Sequence, residues 1–367
     1  MSAQYEREPE TGDGLRLHLN ENTAGCSPRV LAALTSLSRA DVALYPDAAY
    51  TRMTRAATTF FGVDESRLLL TNGLDEGLMA ASMACLLRGA RGAGNGDAPE
   101  AIREAIPEAI IVEPAFGMYA DCVEATGGRA VRVSSDASLA FPLDAVLARI
   151  TESTRLIFLT SPGNPTGLPI PRPALRALAR RVPADALLFL DEAYADFVDA
   201  SSPDRPFLDE LPQWPNIVVG RTFAKAYGLA GIRIGAVIGA ADAIARLRRA
   251  VPPYSVNVAA AVALVAALED QAYVQEYREQ VRASRELVYA ACDRLGLTYW
   301  RSQANFVLVR VGPEVSSVVR RLAARGVFVR DRSTQPGCAG CLRITTGIVD
   351  HTRQGLAALE EVLCERP

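Results

Sequence analysis

One segment of this 367-residue sequence carries a residue type found nowhere else in the chain. Residues 220–235, GRTFAKAYGLAGIRIG, contain Lys225, the only lysine among 39 basic residues. A primary amine can lose its proton and attack a carbonyl carbon, whereas a guanidinium stays protonated. Burial lowers the pKa of a lysine towards neutrality, where it serves as a nucleophile or base. Lys225 is therefore a candidate catalytic residue; the alternative is a single lysine left by chance in an arginine-rich sequence.

Length and charge limit the kinds of protein this can be. A chain beyond roughly 250–300 residues usually divides into domains, so a large domain with a smaller companion is expected. The net charge of −3, with mixed signs, argues against a nucleic-acid surface. The sequence has no apolar run near the ~20 residues that span a bilayer, and its acid-rich start is unlike a signal peptide. We therefore predict a cytoplasmic protein without nucleic-acid or membrane partners.

The seven cysteines do not form a recognisable framework. An odd number scattered through a long chain is typical of reduced thiols. Cys338 and Cys341 have CxxC spacing, but His18 and His351 are the only histidines, and no second pair of cysteines or histidines completes a zinc site. We expect a plain turn at 338–341 and no metal site.

Two patterns alternate through the middle of the chain. Apolar runs typical of buried strands occur at residues 67–71, 109–112, 156–160, 186–190, 216–220 and 232–238. Helical patterns occur at residues 76–88, 117–126, 143–150 and 173–182. This order predicts an α/β fold with a mostly parallel sheet, in which ligands lie at the carboxyl ends of the strands.

The pattern changes after the Pro-Pro pair at 252–253. Helices are predicted at 256–270, 271–295, 315–325 and 352–364, and short strands at 305–311, 326–330 and 341–345. This mixture predicts a smaller α+β domain. We expect a large domain over residues 46–250, a small domain built from residues 1–45 and 251–367, and a surface insertion at the Gly- and Ala-rich residues 88–108.

Three polar motifs follow three of the predicted strands. SPGNPTG at 161–167, DEAY at 191–194 and TFAK at 222–225 each begin where an apolar run ends. The carboxyl ends of parallel strands meet at the same edge of a sheet, so these motifs are expected to form one site. Arg233 lies eight residues beyond Lys225, across a Gly-rich turn.

Together the motifs resemble those of the fold-type I pyridoxal-phosphate (PLP) aminotransferases. The segments concerned are LNEN, YPD, NGLDEG, EPAFGMY, SPGNPTG, LDEAYADF, RTFAKAYGLAGIRIG and CLRITTG. Within that group the chain looks most like the histidinol-phosphate aminotransferases over nearly its whole length. The resemblance implies a large domain with a mostly parallel sheet, a smaller α+β domain, and pyridoxal 5'-phosphate as cofactor.

The resemblance also implies roles around the cofactor ring. Lys225 would bind the cofactor aldehyde and later act as a base, and Asp191 would pair with the pyridine nitrogen. Asn164 and Tyr194 would hydrogen-bond the phenolic oxygen, and Phe116 would stack on the ring. By residue type alone, Asp191 could instead cap a helix, Asn164 could form a turn, and Phe116 could belong to the core.

Further residues are implied for the cofactor phosphate. The backbone of Leu74 and Asp75 would provide N–H donors at a helix N-terminus, Thr222 a hydroxyl, and Arg233 a guanidinium. Tyr45 would reach the phosphate of a neighbouring subunit, which implies a homodimer with shared active sites.

The substrate site is implied by another set of residues. Arg343 would grip the substrate carboxylate and Arg330 a second anionic group, because a planar guanidinium fits a carboxylate or phosphate. Asn20 and Asn22 would lie near the substrate.

Two of the departures from the usual family pattern concern the cofactor phosphate and the substrate side chain. Ala224 stands where many members carry serine, so one hydrogen bond to the phosphate is expected to be absent, at a cost of about 1 kcal/mol. Thr23 replaces the proline that usually follows NEN, at a position expected to face the substrate side chain.

The leading hypothesis is transamination between an amino substrate and 2-oxoglutarate/glutamate, with histidinol phosphate as the first candidate substrate. The alternatives are an aromatic or specialised amino-acid aminotransferase, and a decarboxylase or lyase on the same scaffold. A non-catalytic regulator would need a DNA-binding module that residues 1–40 are too short to supply. A nicotinamide dehydrogenase is disfavoured because Gly228, Gly231 and Gly235 have the wrong spacing.

Overall fold

The computed structural model describes residues 13–87 and 106–365. Its strands are β1 Leu15–Arg16, β2 Leu68–Thr71, β3 Glu108–Glu113, β4 Arg129–Ser134, β5 Thr154–Thr160, β6 Leu187–Asp191, β7 Ile217–Thr222, β8 Gly235–Gly239, β9 Thr298–Tyr299, β10 Phe306–Arg310, β11 Val327–Phe328, β12 Arg330–Asp331 and β13 Cys341–Thr345. Its helices are α1 Pro28–Thr35, α2 Arg39–Ala43, α3 Thr51–Phe61, α4 Gly73–Leu86, α5 Met118–Ala125, α6 Leu143–Arg149, α7 Arg172–Ala179, α8 Ala241–Arg248, α9 Val258–Glu269, α10 Gln271–Leu295, α11 Val315–Ala324 and α12 Val349–Cys364.

A seven-stranded sheet forms the centre of the molecule, in the order β2-β8-β7-β6-β5-β3-β4. The strands from β3 to β7 pair in parallel, and β8 runs antiparallel to both of its neighbours. The inner strands are almost fully buried because helices cover both faces of the sheet. The predicted α/β fold with a mostly parallel sheet is confirmed.

Two details of the large sheet differ from the prediction. The edge strand β4, RAVRVS, was not predicted. Its residues are largely accessible and two of them are arginines, so the segment is not a continuous apolar run. Strand β8 begins at Gly235 rather than at residue 232, because residues 230–232 form a 3₁₀ turn and Arg233 adopts a left-handed backbone conformation with φ of 61°.

The C-terminal part contains a four-stranded antiparallel sheet in the order β12-β13-β10-β9 and a separate parallel pair, β1 with β11. The single strand predicted at residues 326–330 is instead two short strands, β11 and β12, which lie between Val327 and Asp331. Helices α10, α11 and α12 provide the apolar side chains of the core beside these strands. This arrangement is the predicted smaller α+β unit.

The proposed domain boundaries stay predictions. Helix α9 and the first half of α10 contribute Leu264 and Tyr277 to the same core as Leu190 and Val219 of the large sheet. Val30 of α1 joins that core as well. Residues 88–105 of the predicted insertion lie outside the described residues.

The predicted turn at 338–341 is confirmed, because the Cys341 N–H donates to the Cys338 carbonyl at 2.9 Å. All seven cysteines are free thiols, and burial raises the pKa of Cys338 to about 12. In the described ranges no group of three or more His, Cys, Asp or Glu side chains could hold a metal ion. Among the described helices, none alone could cross a membrane; α9 and α10, bent by 77°, reach the required length and hydropathy only as a pair.

Candidate active site

The three polar motifs meet at one edge of the large sheet. Thr160, at the end of β5, pairs in register with Asp191, at the end of β6, which pairs with Gly220 in β7. They open onto a cavity of about 720 Å³, within the range of small-molecule sites. Twelve of the predicted site residues line it: Asn20, Leu74, Asp75, Phe116, Asn164, Asp191, Tyr194, Thr222, Lys225, Arg233, Arg330 and Arg343.

Lys225 follows β7 and lies half-buried beside the N-terminal segment. Its Nζ donates to the carbonyl oxygen of Leu19 at 2.9 Å, which fixes the direction of the side chain. Burial, followed by the positive charge of Arg343, lowers the pKa of the Lys225 amine to about 8. A sizeable fraction of the amine is therefore neutral near pH 8 and able to attack a carbonyl carbon.

Asp191 is a buried carboxylate held by two neutral donors. The Tyr119 hydroxyl donates to its Oδ2 at 2.6 Å, and the Ala193 N–H donates to its Oδ1 at 2.9 Å. Burial raises the pKa of this carboxyl to about 6. In the part of the chain that the structure describes, no arginine or lysine nitrogen lies within 4 Å of it.

The opposite wall of the cavity is built around Arg343 in β13. One guanidinium nitrogen donates to Oδ1 of Asn164 at 2.5 Å, and another donates to the His18 carbonyl at 2.6 Å. The guanidinium also lies over the Phe306 ring, 5.1 Å from its centroid. Three contacts therefore fix the plane of this cation at the cavity wall.

Asn20 and Tyr194 form a polar contact between the N-terminal segment and the sheet edge. Nδ2 of Asn20 donates to the Tyr194 hydroxyl at 3.0 Å, and burial raises the pKa of Tyr194. The phenol therefore keeps its proton at neutral pH and can donate it to a ligand. Asn20 has a φ of 56° and is held by Thr345, whose hydroxyl donates to its Oδ1 at 3.2 Å.

An anion cradle lies where α4 begins. Arg233 donates to the carboxylate of Asp75 at 2.8 Å, so the guanidinium stands beside the first turn of the helix. Gly73 has a φ of +73°, and a Cβ added there would lie only 2.5 Å from the Arg233 guanidinium. The Thr222 hydroxyl accepts from the Ala224 N–H at 3.2 Å, which leaves its proton available for a ligand. This combination suits a phosphate group.

Three residues singled out in the sequence lie elsewhere. Asn22 does not line the main cavity; its Nδ2 donates to the Ala226 carbonyl at 2.9 Å. Thr23 does not face the cavity either, because its hydroxyl accepts from the Ile348 N–H at 2.9 Å. Tyr45 is 82% exposed, with its ring 4.9 Å from that of Tyr254.

Sequence reasoning missed several residues at the cavity. Four residues that were not predicted from the motifs also line it: Tyr119, His18, Arg332 and Gln335. Tyr119 lies three residues after Phe116, and its ring meets the Phe116 ring edge-on at 5.9 Å. That spacing of one helical turn was a usable signal, whereas the contact between Tyr119 and Asp191 depends on the fold.

Comparison with known proteins decides the family. The sequence profile of the family Aminotransferase class I and II matches residues 12–359. The chain belongs to this family. The aminotransferases of this family depend on pyridoxal 5'-phosphate, so the enzyme class and the cofactor expected from the motifs are confirmed.

Similar aminotransferases share nearly the full length of the chain. The histidinol-phosphate aminotransferase of Moorella thermoacetica is 33% identical over 360 residues, covering 98% of this chain and 88% of that protein. Histidinol-phosphate aminotransferase 1 of Cupriavidus pinatubonensis is 35% identical over 355 residues, covering 95% and 88%. The crystal structure of the Sinorhizobium meliloti histidinol-phosphate aminotransferase with pyridoxal-5'-phosphate is 27% identical, with a TM-score of 0.83 over 96% of this chain and 91% of that one.

Proposed function

We propose that this aminotransferase acts on an amino substrate that carries an anionic group, with glutamate/2-oxoglutarate as the exchange pair and histidinol phosphate as the first candidate. One observation carries the proposal. Arg330 and Arg343 are register partners on the antiparallel strands β12 and β13, and both line the cavity that contains Lys225. Register partners place their side chains on the same face of a sheet, so the two guanidinium groups can bind one phosphate or a second carboxylate together. The similar proteins from Moorella thermoacetica and Cupriavidus pinatubonensis are histidinol-phosphate aminotransferases, which supports the same substrate.

The residues at the sheet edge fit the chemistry of the cofactor. When bound, pyridoxal phosphate supplies an aldehyde carbon that takes up an amine and a ring that withdraws electrons from the substrate Cα. Asp191 would keep a proton on the ring nitrogen, and Asn164 and Tyr194 would hydrogen-bond the phenolic oxygen. The amine of Lys225, once displaced by substrate, would move a proton to and from the substrate Cα.

The remaining residues would bind and orient. The first turn of α4, through Leu74 and Asp75, would hold the phosphate together with Thr222 and Arg233. Phe116 would cover one face of the ring. Arg343 would orient the substrate carboxylate because Asn164 and the backbone at His18 already fix its guanidinium. A role for Asn22 would be to position the backbone of Ala226, next to Lys225.

We propose a homodimer in which Tyr45 reaches the partner's cofactor phosphate. Val42, Leu44, Tyr45 and Tyr254 are all exposed, and together they supply apolar surface near the N-terminal helices. Sedimentation equilibrium should give twice the 39.3 kDa chain mass; a monomer would remove the shared site.

The free cysteines support a cytoplasmic location.

A screen of half-reactions tests the substrate. The enzyme loaded with pyridoxal phosphate is mixed with single amines, and the loss of the visible absorbance of the bound cofactor is followed. We expect histidinol phosphate and glutamate to cause the fastest losses because both place anions near Arg330 and Arg343. Phenylalanine faster than histidinol phosphate would favour an aromatic aminotransferase, and release of carbon dioxide would favour a decarboxylase. No loss with glutamate would contradict the proposed exchange pair.

Substitution of Arg343 should weaken carboxylate substrates broadly. Arg343→Ala removes the guanidinium that would form two charge-assisted hydrogen bonds with the substrate carboxylate. The kcat/KM for glutamate should therefore fall by about 100-fold or more. Arg301→Ala provides a matched control, because Arg301 is an exposed arginine stacked on Tyr289, outside the cavity. An Arg343→Ala enzyme with an unchanged glutamate half-reaction would remove this residue from the site.

A further inference from the structure

Behind the predicted ring site, a hydrogen-bond chain runs from Thr160 through Tyr119 to Asp191. The Tyr119 oxygen lies 2.6 Å from Oγ1 of Thr160 and 2.6 Å from Oδ2 of Asp191. Both distances are at the short end for hydrogen bonds between oxygen atoms. The phenol has a single proton, so it can donate to only one of these neighbours at a time.

The order of donors in this chain depends on the charge of Asp191. An ionised carboxylate only accepts, so Tyr119 must donate to Asp191 and Thr160 must donate to the phenolic oxygen. A protonated Asp191 could donate to Tyr119 instead, and the chain could then run in the opposite direction. The first arrangement stabilises the anion because a charge-assisted hydrogen bond is stronger than a neutral one.

Packing holds the Tyr119 ring in this position. The side chain is buried, and its ring stacks on Phe158 at 5.0 Å with an interplanar angle of 9°. The Phe116 ring meets it edge-on from the cavity side. Burial and the nearby Asp191 charge raise the pKa of the phenol well above its ordinary value, so Tyr119 keeps its proton at neutral pH.

We propose that Tyr119 is a positioning residue that, with Thr160 behind it, keeps Asp191 ionised and so keeps the proton on the ring nitrogen of the bound cofactor. This inference rests on the proposed role of Asp191. Without the phenol, the carboxylate would be a stronger base and would draw the proton away from the ring. Asp75, Lys225 and Tyr194 are the other titratable groups whose charges act on this pair, and the single substitutions leave all three in place.

Nitrogen NMR of bound pyridoxal phosphate, labelled with ¹⁵N in the ring, tests the proposal. At one fixed pH, the ring nitrogen of the Tyr119→Phe enzyme should shift towards the neutral-pyridine position, with the ratio of ring-protonated to carboxyl-protonated forms falling about tenfold. Tyr289→Phe is the control: it removes another buried phenol, one that bonds to Ser302 in the small domain, and should leave the shift unchanged. A ring-nitrogen shift identical in wild type and Tyr119→Phe overturns the proposal.

A second variant keeps the proposal testable if the Tyr119→Phe enzyme does not fold. Thr160→Val keeps the Tyr119 ring but removes the donor behind its oxygen, so the shift should move in the same direction by a smaller amount. No movement in a folded Thr160→Val enzyme would remove Thr160 from the chain. The wild-type spectrum separates this inference from the proposed function, because failure of wild type to bind the labelled cofactor contradicts the function itself.

Discussion

Replacing Lys225 with alanine should abolish turnover, with a loss of about 10⁴-fold or more in every half-reaction. The substitution removes the only side-chain amine in the protein, and with it both the covalent attachment of the cofactor and the base that moves the Cα proton. Rapid mixing of the loaded variant with glutamate, followed by absorbance, measures the residual rate. Lys225→Arg should be equally inactive, although it retains the positive charge, because a guanidinium stays protonated.

The pH dependence of cofactor uptake provides the control for this assignment. Only the neutral amine attacks an aldehyde, and the pKa of Lys225 is about 8. The rate of uptake by the wild-type apoenzyme should therefore rise with pH below about 8 and level off above it. A variant at residue 225 that keeps rapid turnover would contradict the role of this amine.

Asp191→Asn should leave cofactor bound but reduce turnover by about 10³-fold. Asparagine has nearly the same shape and can still accept the Tyr119 hydrogen bond, so the expected loss comes from the missing negative charge opposite the ring nitrogen. Cofactor content measured by absorbance, together with the single-turnover rate with glutamate, separates binding from chemistry.

The neighbouring acid offers a matched control for Asp191. Glu192 is also buried, and burial raises its pKa to about 7, but its carboxylate accepts from the Phe207 N–H and does not line the cavity. Glu192→Gln should therefore change the glutamate half-reaction much less than Asp191→Asn. Equal losses in the two variants would assign the effect at Asp191 to general destabilisation.

The central sheet could be predicted because its strands are continuous apolar runs that end in polar motifs. Thr160, Asp191 and Thr222 each end such a strand, and parallel pairing necessarily brings their carboxyl ends to one edge. The signal failed at β4, where Arg129 and Arg132 form ion pairs with Glu108 and Glu113 of the neighbouring strand. These arginines and glutamates pair with one another between neighbouring strands, so β4 is folded into the sheet although it carries charged residues. A search of the sequence for apolar runs therefore misses it.

The cavity wall was harder to predict because it depends on contacts between distant segments. The Lys225 amine bonds to a backbone carbonyl 206 residues earlier in the chain, and Arg343 bonds to one 325 residues earlier. Because every residue has a backbone carbonyl oxygen, the residue types do not indicate which of these oxygens will accept such a bond. Asn22 shows the same limit, because this motif position bonds to the Ala226 carbonyl, 204 residues later in the chain, and does not line the cavity.

The most direct test of the account is chemical trapping on Lys225. The purified protein is incubated with pyridoxal phosphate, reduced with borohydride, digested, and its peptides are weighed. The chain offers one lysine and its α-amino group as primary amines, so the map leaves no ambiguity. We predict that the reduced cofactor mass lies on the peptide containing residue 225. A protein that gains no mass, or gains it only at its N-terminus, would contradict the account.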